Sequence, residues 1–69
     1  MQDLTLDEYN CVQELNAFAR GGEYAMQLLQ KVYANILKHY GISNDRVHDI
    51  MKAASLYVDA DYNIKTRLS

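Results

Sequence analysis

The sequence predicts an all-α fold, a small three-helix bundle in one domain with helix 2 at its centre. Three observations lead there. Apolar residues recur at helical spacing along the chain, no proline interrupts them, and glycines fall at the two points where the pattern breaks.

Helix 1 is expected over about 6–20. Thr5 and Glu8 have the spacing of a capping box, in which each side chain bonds the other residue's backbone N–H, and Leu4 and Tyr9 have that of a hydrophobic staple. Asp7 and Glu8 lie in the first turn, where the helix dipole favours anions. Tyr9, Cys11, Val12, Leu15, Phe18 and Ala19 share one face, and Gly21-Gly22 ends the helix because glycine accepts a left-handed conformation.

Helix 2 is expected over about 23–40. Gly41 and Ile42, with Leu37 four residues before the glycine, fit a Schellman ending, and Lys38 and His39 suit the negative end of the dipole. Its apolar face, from Tyr24 and Leu28 round to Met26 and Leu37, covers about 180° at 100° per residue, whereas a helix with one neighbour needs a stripe of only about 100°. That width places helix 2 between helices 1 and 3.

Helix 3 is expected over about 44–60 or longer, with Ser43 as N-cap and Ile42 and Val47 as a staple. Val47, Ile50, Met51, Ala54, Tyr57 and Val58 form its stripe. Two residues fit poorly: Asp61 would fall within the stripe, and Leu56 on the polar side. Lys65 and Arg67 would suit a C-terminal turn near Thr66.

Composition sets the function classes. With 49% apolar and 23% charged residues the chain is not a disordered one. Cys11 stands alone, so no disulfide forms within the chain. No apolar run nears the ~18 residues of a membrane span, and the start, Met1-Gln2-Asp3-Leu4, lacks signal-peptide features, so the cytoplasm, or a host's cytoplasm, is the expected compartment. A 7.9 kDa chain exposes about 11,500 Å² unfolded and about 4,400 Å² as a folded monomer, a marginal burial that favours self-association. The net charge of −2 is too mild for a DNA mimic and of the wrong sign for a generic nucleic-acid or membrane binder.

Few constellations carry chemistry. Residues 33–52 resemble a helix-turn-helix pattern: a helix ending at Gly41, then Ile42, then a Ser43-capped helix carrying Val47 and Ile50 inward. A DNA-binding reading would use Asn44, Arg46, His48 and Lys52, but Asp45 and Asp49 would then face phosphates, and Leu37 is bulky where close helix crossing wants a small residue. Asp59-Ala60-Asp61-Tyr62-Asn63 starts like a calcium loop, yet Ile64 takes the place of the required glycine, so it reads as a solvated helix end. His39 and His48 lie on different helices without zinc spacing, and Asp45–His48 and Asp49–Lys52 read as surface pairs. Cys11 reads as a small buried hydrophobe. Arg20-Gly21-Gly22 before helix 2 would hold an anion only against Glu23.

Six tyrosines are many for this length, and tyrosine is an interface residue. The expectation is therefore a non-enzymatic helical protein–protein interaction module with no cofactor or metal. It would act as a homo-oligomer and on a second protein, as a small regulator, adaptor or inhibitor, a phage-borne one being one such case. Tyr24, Tyr40, Leu56 and Tyr57 are its candidate partner-binding residues. The alternative is the helix-turn-helix DNA-binding regulator.

Overall fold

The computed structural model describes residues 3–68. Helix α1 spans Leu6–Arg20 and α2 spans Gly22–His39. A single 3₁₀ turn, Asn44–Arg46, leads into α3, Val47–Ala53. Strands β1, Leu56–Val58, and β2, Ile64–Thr66, then pair antiparallel, with Tyr57 opposite Lys65.

Local signals placed the first two helices. Thr5 Oγ1 accepts from the Glu8 N–H at 3.1 Å while Glu8 Oε1 accepts from the Thr5 N–H at 3.0 Å, so the capping box closes in both directions. Between α1 and α2, Gly22 has φ +84, and a Cβ on Gly21 would come within 2.5 Å of the Ala25 Cβ, so both glycines are required. At the end of α2, Gly41 has φ +66, the Ile42 N–H bonds the Leu37 carbonyl at 3.0 Å, and the Gly41 N–H bonds that of Lys38 at 3.1 Å. This pair of bonds is the Schellman ending.

Two expectations are corrected. Helix 3 stops at Ala53 instead of running to about 60: Ser55 turns left-handed at φ 65, and the chain continues as a β-hairpin. The molecule is therefore mostly helical with a small strand pair, not purely all-α. The physical reason lies in the two misfits. A continued helix would leave Leu56 in water and press Asp61 into the apolar stripe. As a hairpin the chain buries Leu56 fully, adds Ile64 to the core, and leaves Asp61 exposed.

The central helix is α1, not α2. Cys11, Val12, Leu15 and Ala19 of α1 are all buried, and α1 packs against both α2 and α3. Helix α2 buries only Leu29 and Ile36 and packs against α1 and β2. A two-turn α3 is too short to cover the long α2, so the hairpin takes that place. Ile50, Met51, Ala54, Leu56 and Ile64 complete the core. The Asn16 Nδ2 donates to the Ala54 carbonyl at 3.1 Å and ties α1 to the end of α3.

Candidate functional site

Helix α2 presents a different surface on each side of its buried stripe. Leu29 and Ile36 point into the core, with Met26, Val32, Tyr33 and Leu37 half-buried beside them. Tyr24 and Leu28, one turn apart, lie at the outer end of the apolar arc and stay 81% and 42% exposed. On the opposite flank α2 faces β2 across an open groove of about 740 Å³. Gly22, Glu23, Met26, Gln27, Gln30 and Lys31 form its α2 wall, and Asn63 to Thr66 form the other.

Gln30 bridges the groove at one end. Its Nε2 donates to the Tyr62 carbonyl at 3.2 Å, and its Oε1 accepts from the Ile64 N–H at 2.8 Å. The hairpin loop beside it is built by Asp59, whose Oδ1 accepts from the N–H groups of Asp61 and Asn63, each at 2.9 Å. The loop closes through Tyr62 N–H to the Asp59 carbonyl and Asp59 N–H to the Asn63 carbonyl. Tyr62 holds the left-handed position, φ 63, with its side chain 84% exposed. The acidic segment 59–63 is thus a hairpin turn, not a frayed helix end.

The four candidate partner-binding residues do not form one surface. Tyr24 is open on the α2 flank. Tyr57 is partly exposed on the hairpin, with the Arg67 guanidinium 5.3 Å from its ring centroid. Tyr40 is half-buried: its hydroxyl donates to Glu14 Oε1 at 2.8 Å, and its ring meets His39 edge-on at 4.9 Å. That hydrogen bond, with burial, raises the Tyr40 hydroxyl above the usual tyrosine range. Leu56 is fully buried and is withdrawn as a contact residue, because the helical face that would have exposed it does not form.

Of the residues in the DNA-binding alternative, Asn44, His48 and Lys52 are exposed. The Arg46 side chain turns back onto the protein's own acids: Nε and Nη2 donate to the two Glu8 carboxylate oxygens at 2.7 and 3.2 Å, and Nη1 to Asp49 Oδ2 at 3.2 Å. The arginine, and then the Thr5 N–H, hold the Glu8 carboxyl below the usual glutamate range. One carboxylate therefore caps α1 and anchors the turn before α3.

Cys11 is buried, and desolvation followed by the nearby Glu14 charge pushes its thiol up to about 11. Such a thiol is not a nucleophile at neutral pH. The Tyr33 hydroxyl is buried with no hydrogen-bond partner among the described residues. Among the described residues no group of three or more His, Cys, Asp and Glu side chains is placed to hold a metal, and no helix is long and apolar enough to cross a membrane.

Sequence reasoning missed Gln30, Tyr62 and Ile64. The legible signal was Leu56-Tyr57-Val58 and Ile64-Lys65-Thr66 flanking a loop rich in Asp and Asn, which is a hairpin pattern. Gln30 gave no local signal, since its role depends on a strand 34 residues away. Comparison with family models, with curated proteins and with solved structures finds no match to this chain.

Proposed function

We propose that this chain is a non-enzymatic protein–protein interaction module that works as a homo-oligomer, with the Tyr24–Leu28 flank of α2 as the self-contact. The observation that carries this reading is the exposure of that pair at the end of a continuous apolar arc. A tyrosine and a leucine one turn apart are the anchor types and spacing of a helix-on-helix contact. The total surface points the same way. The chain exposes 4956 Å², against about 4,400 Å² for a compact monomer of its mass. A second copy laid flank to flank would cover both Tyr24–Leu28 pairs at once, the self-complementary geometry of a two-fold dimer.

Sedimentation velocity from about 5 to about 500 µM tests this through mass action. The expected result is a monomer at the dilute end and a dimer at the concentrated end, with the Tyr24→Lys, Leu28→Lys double variant monomeric throughout and equally helical by circular dichroism. A wild-type chain that stays monomeric across the range overturns the reading. Duplex DNA in a parallel run is expected to leave the boundary unchanged.

A further inference from the structure

We infer that the groove between α2 and β2 is a docking site for an extended acidic peptide, which adds to β2 as a parallel third strand after displacing the Gln30 side chain. The inference does not depend on the proposed self-contact, although the groove wall reaches it: Gln27 and Lys31 lie one helical turn beyond Tyr24 and Leu28.

The argument starts from the edge of β2. Residues 57 and 65, 59 and 63, and 55 and 67 bond each other across the hairpin. The backbone groups of the alternate residues, Ile64 and Thr66, therefore point away from β1. They point towards α2, since the Ile64 N–H is the group that Gln30 takes.

The Gln30 amide makes a particular pair of bonds. It donates to the carbonyl of residue 62 and accepts from the N–H of residue 64. In a parallel ladder, the backbone of one residue on the added strand makes this same pair with the residues on either side of its partner. Gln30 thus stands in for one residue of a missing strand, opposite Asn63. Two residues further along, the same ladder would use the Ile64 carbonyl and the Thr66 N–H. Both point away from β1, and no loop backbone or side-chain group among the described residues bonds either.

The occupant's chemistry follows from the walls. An edge that already accepts an amide in ladder geometry recognises polypeptide backbone. The groove lining carries Lys31 and Lys65 against Glu23, a positive wall that ends at the acidic 59–63 loop beside Gln30. This favours carboxylate side chains on the incoming strand. Gln30 is itself exposed, but α2 and β2 approach within 8 Å in Cα separation, so the added strand also requires α2 to swing outward from β2.

The test uses a fluorescent eight-residue peptide of alternating Glu and Val, read by anisotropy at a chain concentration dilute enough to be monomeric. Amide resonances of Ile64 and Thr66 are followed by NMR. Expected are saturable binding, shifts at those two amides, and at least about threefold tighter binding to Gln30→Ala, which removes the competing amide. Lys31→Glu is expected to weaken binding at least about threefold. N-methylation of alternate peptide backbone nitrogens is expected to weaken it at least about tenfold, and this change leaves the folded chain untouched. The inference is overturned by an N-methylated peptide that binds within about twofold of its parent, by a Lys-Val peptide that binds as well, or by no binding to either wild type or Gln30→Ala at about 1 mM. A chain that never dimerises yet takes the peptide retains this inference and loses the self-contact.

Discussion

Two tyrosines carry identifiable costs in this molecule. The Tyr33 hydroxyl is buried without a partner among the described residues, near the Cys11 thiol, which is also buried and neutral. An unpaired buried hydroxyl costs about 1–3 kcal/mol. Tyr33→Phe is therefore expected to raise stability by about 1 kcal/mol in urea melts, and an unchanged or lowered midpoint would show that the hydroxyl is satisfied in solution. Tyr62 holds a left-handed position, φ 63, which costs a residue with a Cβ about 1–2 kcal/mol. Glycine is the usual occupant of such a turn position. Tyr62→Gly is expected to stabilise by up to about 1 kcal/mol after glycine's own entropy is subtracted. A destabilised Tyr62→Gly would mean that the exposed ring contributes packing that its 84% exposure denies. Strain at an exposed aromatic is the kind of local conflict that function maintains.

At the scale of elements, helix α1 and the hairpin set stability. Leu56 and Ile64 enter the core from the two strands, and Leu56 is fully buried. Leu56→Ala is expected to cost about 2–5 kcal/mol. A loss under about 0.5 kcal/mol, the level of ordinary surface changes, would restore Leu56 to the surface and with it the longer helix 3. The Glu8–Arg46 pair contributes to the pH dependence of stability. Because the folded Glu8 carboxyl lies below its ordinary value of 4.5, the stability it contributes is present above that value and is lost as pH falls through the folded one. Glu8→Gln is expected to lower Tm at neutral pH and to flatten the fall of Tm in acid below about pH 4.5. Equal acid slopes for variant and wild type would remove Glu8 from that role. The helix ends, and thus α1 and α2, were legible from capping box to Schellman glycine because these motifs need only neighbours within a turn or two. Helix 3 was overextended because Ala54 to Val58 keeps a helical apolar spacing, and that spacing says nothing of Ser55 turning left-handed.

Over the whole molecule, the radius of gyration of 11.1 Å is that of a compact domain of this length, about 11 Å, yet the surface exceeds the compact-monomer value. A normal radius with surplus surface describes an object with surface relief, and the groove between α2 and β2 is one part of it. The sequence by itself determined that the chain folds on helices, where α1 and α2 begin and end, and most of the core residues on α1 and α3. It also showed that the apolar arc of α2 is wider than one neighbour covers. Tertiary structure alone decided that α1 is the centre, that a hairpin replaces the last helical turns, that Leu56 is inside, and that Gln30 closes the edge of β2. The division has a physical cause. Caps and periodicity are energies of residues close along the chain, while the hairpin, the buried Leu56 and the Gln30 bridge are stabilised by contacts between distant segments, which local pattern does not encode.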